Sequence, residues 1–329
     1  MSFIVAPVRP RVSPDLFDFQ AQEPEKVFEL VYGDARPGGY IAIGSRRPGR
    51  GKPEPFPHYL TVLPVKEHQQ FLPGILSCRP DETKYICPNT FDRSALRHSP
   101  DNYIRTLEDE KPRFFEARNP HVRELSAVVI DLDIYKMAEP LDPREALLVV
   151  LGRALFGQVP LPTLLAMSGR GVYVWYLLRD ETSNHPPLVD ETSKHLWWLA
   201  LNELLNRTVD LNSDQNAKRP AQWFKCPGTI DTTSGNEIVY LTPGIGTPQN
   251  LPVYTLPDLI SQLKITSVDA TAQLAHSTSF PRREPRPKTA RSGVAANPYW
   301  SRCRDIELLA VHRNGIVEGY RHTTLLHYF

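Results

Sequence analysis

Two aspartates, Asp131 and Asp133, stand one residue apart at the end of an apolar run, SAVVIDLD (residues 126–133). On a strand, positions i and i+2 share a face and lie ~7 Å apart along the backbone. Two like charges at that separation repel unless a cation lies between them, and a divalent metal with oxygen ligands is the usual solution. The competing reading is a pair of acids at a solvated strand end. A second cluster, Ser168-Gly169-Arg170-Gly171-Val172-Tyr173, sets two glycines around an arginine. Glycines let backbone N–H groups approach an anion, while Ser168 and Arg170 offer a hydroxyl and a planar charged fork. Tyr173 points the same way as Gly171 and can orient a phosphate or a sugar. An ordinary hairpin turn with an exposed arginine would read the same. The stretch is no P-loop, because no Gly-Lys-Ser/Thr follows and a strand comes next.

The third cluster runs Asp210-Leu211-Asn212-Ser213-Asp214, then Lys218, Arg219 and Lys225-Cys226-Pro227-Gly228-Thr229. A carboxylate here, folded against Asp131 and Asp133, would complete a three-acid metal site. Asp210 is the expected third acid, with Asp214 its competitor. Lys218, Arg219 and Lys225 would bring positive charge to a triphosphate. The plainer alternative is an Asx turn followed by a Pro-Gly turn. Upstream, Arg46, Arg47, Arg50 and Lys52 fall in a Gly/Pro-rich loop with no intervening acid. Such a loop holds a phosphate backbone or is a solvated hairpin tip.

The elements that must position these groups follow from periodicity. EPEKVFELVYG (23–33) predicts a short helix ended by Gly33, and GYIAIGS (39–45) a strand. SAVVIDLD predicts a strand buried on both faces through Ile130. Asp142, Pro143 and Glu145 supply an N-cap, a first-turn proline and an acid at N3, so a helix should run through ALLVVLGRALF and stop at Gly157. TLLAMS (163–168) and GVYVWYLL (171–178) read as strands, and ETSKHLWWLALNELLN (191–206) as a helix with Trp197, Leu201 and Leu204 on one face. AQWFK (221–225) and NEIVYLT (236–242) read as short strands around the Pro-Gly-Thr turn. The order β-α-β-β-α-β predicts an α+β fold, an RRM-like (split βαβ) core with two helices on one face.

The chain has 329 residues, 41% of them hydrophobic, and 38 Lys+Arg against 37 Asp+Glu. A net charge of +1 excludes a uniformly basic, histone-like binder but not a local basic groove. No apolar run approaches the ~20 residues of a membrane span, and the N-terminus does not read as a secretory signal. Cys78, Cys87, Cys226 and Cys303 form no CxxC pair, so a cytoplasmic protein is expected. Proline, 32 residues, punctuates the loops and a Ser/Thr/Ala/Pro-rich linker at 266–298. The expected organisation is a catalytic domain at 1–265, comprising an N-terminal α/β subdomain (about 1–120) and the core (about 121–260). After the linker, 299–329 reads as a helical segment cut off inside its pattern.

The order of the three clusters is more specific than any one of them. Asp-x-Asp on a strand, Ser-Gly-x-Gly between strands, then Asp and a cation before Pro-Gly-Thr resembles the archaeo-eukaryotic primase superfamily. The likeness is greatest to primase-polymerase domains of plasmid and mobile-element replication proteins, and strongest over 126–231. That resemblance implies a nucleotidyltransferase, a DNA-directed primase and DNA polymerase. Asp131, Asp133 and Asp210 (or Asp214) would hold two Mg²⁺ or Mn²⁺ ions. Ser168, Gly169, Arg170, Gly171, Tyr173, Lys218, Arg219 and Lys225 would bind the dNTP or NTP. Arg46, Arg47, Arg50 and Lys52 would bind a single-stranded DNA template and primer, and a helicase domain or partner would follow residue 329. Many members carry His where this chain has Tyr173, which has no charge near neutral pH. The second reading, a non-catalytic single-strand-binding initiator, needs Tyr173 and Trp175 open for base stacking. A nicking endonuclease lacks its His-hydrophobe-His motif here.

Overall fold

The computed structural model describes residues 19–46, 59–77, 82–97, 114–115, 119–243 and 251–265. The linker and the C-terminal segment expected at 266–298 and 299–329 lie outside them, as do Arg47, Arg50 and Lys52. Two antiparallel sheets dominate, an α+β arrangement. The first orders β1 (Phe19–Gln22), β13 (Val239–Pro243), β10 (Leu164–Met167), β11 (Val172–Leu177) and β9 (Ala127–Leu132). The second orders β12 (Phe224–Lys225), β4 (Thr83–Ile86), β2 (Tyr40–Arg46), β5 (Thr90–Phe91) and β8 (Val122–Glu124), with β3 (Tyr59–Pro64) on β2. A small ribbon pairs β6 (Leu96–Arg97) with β7 (Phe114–Phe115).

In the first sheet β9 leads through α3 (Pro143–Leu155) to β10, with β11 lying between the two strands. β11 leads through α4 (Glu191–Arg207) to β13, with β10 between them. Each half is thus a split βαβ unit. Both helices begin as their sequences dictate. Asp142 and Glu145 form a reciprocal capping box on α3, Pro143 takes its first turn, and Asp190 pairs with Ser193 in the same way on α4. Gly157, just past α3, has φ +65, the left-handed value that ends a helix at little cost for glycine.

All six residues of β11 are buried because both faces of the strand are covered. Val172, Val174 and Tyr176 join a core with Leu147, Leu151, Trp197, Leu201 and Leu204 of the two helices. Tyr173, Trp175 and Leu177 face the other way, into a core with Val27 and Phe28 of α1 (Pro24–Tyr32) and Ile41 and Ile43 of the second sheet. Trp197 also donates its indole N–H to the Ala127 carbonyl at 2.9 Å, tying α4 to β9. Two expectations change here. AQWFK contributes only Phe224–Lys225 as strand, and β12 joins β4 of the second sheet, not the core sheet. The face on which Tyr173 and Trp175 were to stack bases is closed: they are 5% and 0% exposed. Strand propensity is local, whereas the partner that covers a face is chosen by distant segments.

Strands also cross the expected boundary near residue 120. β1 comes from the N-terminal part yet pairs with β13, while β8 and β12 come from beyond it and complete the second sheet. Two further helices complete the described fold, α2 (His68–Ser77) and α5 (Leu256–Gln262). Among the described residues no helix is long and apolar enough to cross a membrane.

Candidate active site

β9 pairs with β11 along one edge in the register Tyr173↔Asp131, and with a short segment along the other. That segment follows α4 and a single 3-10 turn, Val209–Leu211, where Asn212 adopts φ 55 and reverses the chain. Asn212 tolerates the left-handed region better than most residues. The Asp133 N–H donates to the Asn212 carbonyl at 3.1 Å, and the Asp214 N–H donates to the Asp131 carbonyl at 2.8 Å. Leu132 and Ser213 bridge between them in antiparallel sense. Asn212 Nδ2 adds a bond to the Asp133 carbonyl at 2.9 Å, and Ser213 Oγ anchors the segment to Leu205 of α4 at 2.8 Å. Asp131 and Asp214 are therefore cross-strand neighbours on one face, with Asp133 one row further on.

Of the two candidates for a third acid, the structure puts Asp214 beside the pair and Asp210 away from it. Asp210 lies one turn earlier, its side chain 62% exposed, where both carboxylate oxygens receive the Arg153 guanidinium of α3. The acid that the fold brings to Asp131 is Asp214. The cause is the backbone pairing of 212–214 along β9, which points residue 214 and not residue 210 toward the pair.

Electrostatics mark Asp131 as the centre. Its carboxyl is pushed up to about 7, first by burial and then by the charges of Asp133 and Asp214, with Lys225 and Lys136 acting against this. Among the described residues its carboxylate receives no hydrogen bond and no ion pair. Asp133 is held by Lys136, three residues on, and that contact raises the ammonium's pKa. Asp214 accepts the Asn216 N–H at 2.9 Å. As oriented, no three His, Cys, Asp or Glu side chains among the described residues form a group that would chelate an ion. The donor chemistry still fits a hard divalent cation: three carboxylates, no nitrogen or sulfur, and one carboxylate left without a partner.

The Ser168–Gly171 turn lies beside Asp133, across the β9–β11 pairing. Gly169 has φ +98, and a Cβ there would fall 2.7 Å from Asp231 Oδ2. At Gly171 a Cβ would fall 2.7 Å from the Leu132 carbonyl. Glycine is required at both positions, by backbone conformation at the first and by close approach at both. The turn closes on itself through Ser168 N–H to the Gly171 carbonyl at 2.9 Å. Arg170 is exposed and its guanidinium carbon sits 4.4 Å from the Tyr135 ring centroid, a cation–π stack at the edge of the acids.

The remaining expected ligands divide. Lys225 reaches the turn: its Nζ donates to the Ser168 carbonyl at 2.7 Å and pairs with Asp231 at 3.1 Å. Tyr173 does not reach outward. Its ring packs edge-on against Phe224 at 5.2 Å between centroids, and its hydroxyl meets the backbone of Lys225. Tyr173 thus belongs to the core between the sheets, an environment that follows from the second sheet covering it. Lys218 is half-buried and Arg219 exposed on the loop from Asp214 to β12, and among the described residues neither makes a hydrogen bond or ion pair with the acids or the turn. Arg46 ends β2 opposite Thr83.

Sequence reasoning missed Asp231 and Asn236. Asp231 is 1% exposed, accepts the Ser234 hydroxyl at 2.8 Å, and is held below the usual carboxylate range by that bond and by Lys225, burial acting in the opposite sense. Asn236 Nδ2 donates to the Gly169 carbonyl at 2.8 Å. The available signal was their place just after Pro-Gly-Thr in a polar loop, TIDTTSGNE.

No family profile matches the chain. A replication protein from Clostridium perfringens is 29% identical over 156 residues, 47% of this chain and 30% of that protein's length. The matched stretch therefore spans under a third of that relative. Solved structures similar to this fold include a primase-polymerase domain and a primase catalytic domain. The AEP domain of the cyanophage S-2L primase-polymerase aligns with 10% identity over 75% of this chain and 98% of its own, at TM-score 0.43. The catalytic domain of primase RepB′, in complex with initiator DNA, aligns with 10% identity over 79% of this chain and 100% of its own, at TM-score 0.41.

Proposed function

We propose that this chain carries the catalytic domain of a primase-polymerase of the archaeo-eukaryotic primase superfamily, acting in replication of a plasmid or mobile element. The observation that carries the reading is the lateral pairing of Asp131 with Asp214, followed by Asp133, next to a glycine-flanked arginine turn. Template-directed nucleotidyl transfer needs both parts: acids that gather cations and a cradle for a triphosphate. The replication protein that matches in sequence agrees with this role.

Asp131, Asp133 and Asp214 would hold Mg²⁺ or Mn²⁺, for which the set of three carboxylates is suited. When bound, such ions neutralise the triphosphate and lower the pKa of the attacking 3′-hydroxyl. The chain's own residues do the positioning. Gly169 and Gly171 allow the turn's backbone conformation and its close seating on Asp231 and β9, a shape that would present N–H groups to phosphate oxygens, and Ser168 contributes a hydroxyl to the cradle. Arg170, fixed by its stack on Tyr135, presents a fork of donors to the charge that develops on pyrophosphate. The β2–β3 loop that begins at Arg46 would meet the single-stranded template through phosphate contacts, so binding should weaken with salt.

The non-catalytic initiator loses its stacking platform, since Tyr173 and Trp175 are buried. A primer-synthesis and primer-extension assay on single-stranded DNA, with Mg²⁺ and Mn²⁺ compared, tests the proposal. Metal-dependent incorporation of labelled nucleotides is expected. Template binding without incorporation under either metal would refute it.

A further inference from the structure

Lys225 precedes Pro-Gly-Thr, where the family resemblance places a cation for the triphosphate. Its ammonium is otherwise engaged. Nζ sits 2.7 Å from the Ser168 carbonyl and 3.1 Å from Asp231 Oδ1, with the Lys225 side chain 17% and the Asp231 side chain 2% exposed. Asp231 lies directly beneath Gly169, its Oδ2 filling the space that a Cβ there would occupy. Its other contacts come from its own loop: the Ser234 hydroxyl at 2.8 Å and the Thr233 N–H at 3.4 Å. From the same loop Asn236 takes the Gly169 carbonyl at 2.8 Å. Two consecutive carbonyls of the turn are thus held from below by one loop and one strand end. The Tyr240 hydroxyl donates to the Lys225 carbonyl at 2.9 Å, so β13 fixes the backbone from which this prop rises.

We propose that Lys225 and Asp231 are positioning residues: a charged pair that fixes the Ser168–Gly171 turn from beneath, with no direct contact between Lys225 and phosphate. With Ser168 and Gly169 carbonyls drawn down toward Lys225 and Asn236, the turn keeps its shape before any nucleotide arrives. Two of the ammonium's three N–H donors are committed to the Ser168 carbonyl and to Asp231, which ties the side chain to the turn. The proposal rests on the nucleotide-binding role assigned above to the turn, and deepens it.

Four variants decide the matter: Asp231→Asn, Lys225→Met, their double, and the conservative Lys225→Arg. Two quantities are read, the Kd of a non-hydrolysable dNTP with Mg²⁺ and the hydrogen exchange of amides 169–172 in the ligand-free protein. Each of the first two should weaken nucleotide binding by about tenfold, the loss of one charge-assisted hydrogen bond. The double should add little beyond either single, because a shared function is removed only once. Exchange at 169–172 should quicken in all three while amides of α4 stay unchanged, and Lys225→Arg should restore both readouts. The proposal is overturned if Lys225→Met weakens binding while Asp231→Asn does not and exchange at the turn is unaltered, since Lys225 would then be a direct phosphate ligand. If the wild type binds no nucleotide, the functional reading fails. The exchange pattern alone then decides the prop, unchanged exchange at 169–172 in every variant overturning it.

Discussion

Asp214 donates its backbone N–H to the carbonyl of Asp131 at 2.8 Å, and that bond, with the Asp133–Asn212 bond beside it, makes cross-strand neighbours of two aspartates 83 residues apart in the sequence. Asp210, nearer to β9 in sequence by four residues, is turned to Arg153 instead.

The first test follows directly. Asp131→Ala with Asp133→Ala should abolish incorporation while leaving template binding in place. Asp214→Asn should lower kcat by at least about a hundredfold, in the range seen when one electrostatic partner of a transition state is removed. Asp210→Asn should leave kcat within about twofold and cost no more than ~1 kcal/mol, as an exposed ion pair does. A kcat loss at Asp210 with none at Asp214 would reverse the assignment of the third acid.

The Asp131 carboxyl, raised by burial to about 7 from its ordinary value of 3.8, sets a pH dependence. The folded state binds this proton more tightly than the unfolded chain, so the group's contribution to stability is greatest at acid pH. It falls as pH rises through the window between those two values. Asp131→Asn should therefore melt higher than the wild type near about pH 8, by roughly 2–4 °C for each kcal/mol recovered. Near about pH 4 the two should coincide. A constant difference across the range would mean that the carboxyl does not titrate as the geometry requires.

Cations should act on the same group. Mg²⁺ or Mn²⁺ at a hundredfold excess over Kd stabilises a folded protein by about 2.7 kcal/mol. The rise in Tm should be larger at about pH 8 than at about pH 5.5, where protonated Asp131 competes, and absent in the Asp131→Ala, Asp133→Ala double variant. Equal stabilisation of the double variant would place the ions elsewhere.

Gly169→Ala meets two obstacles, φ +98 and the Asp231 carboxylate 2.7 Å away, so it should destabilise by ~1–3 kcal/mol and raise the KM for nucleotide. Gly157, with φ +65 and open space around it at the end of α3, serves as the comparison. Gly157→Ala should lose stability alone, with KM unchanged. Matching KM effects at both glycines would detach the turn from nucleotide binding.

Glu124 is buried at 0% exposure and receives the Arg36 backbone and guanidinium at 3.0 and 3.1 Å and the Thr90 hydroxyl at 2.7 Å. Glu124→Ala should cost about 1–3 kcal/mol in denaturant unfolding, because it leaves the buried Thr90 hydroxyl without its acceptor and the half-buried Arg36 guanidinium with only the Pro186 carbonyl. A loss under about 1 kcal/mol would show that water reaches the site.

Much of this was legible in the residues. The alternation of SAVVIDLD, the Asp142–Glu145 box and the glycines around Arg170 encode strand, helix start and turn within a few positions of chain. What escaped is non-local. Whether Asp210 or Asp214 meets Asp131 depends on where the chain reverses at Asn212, and whether Tyr173 faces solvent depends on a sheet assembled mostly from residues before 120. Asp231 escaped for the same reason, since its partners Lys225 and Gly169 come from different strands and turns.

The lateral pairing of 212–214 also closes the flank of β9 at the acid end. The same three residues thus supply the carboxylate beside Asp131 and the hydrogen bonds that cover that strand edge, so a change that frees 212–214 would displace Asp214 and bare the edge of β9 together.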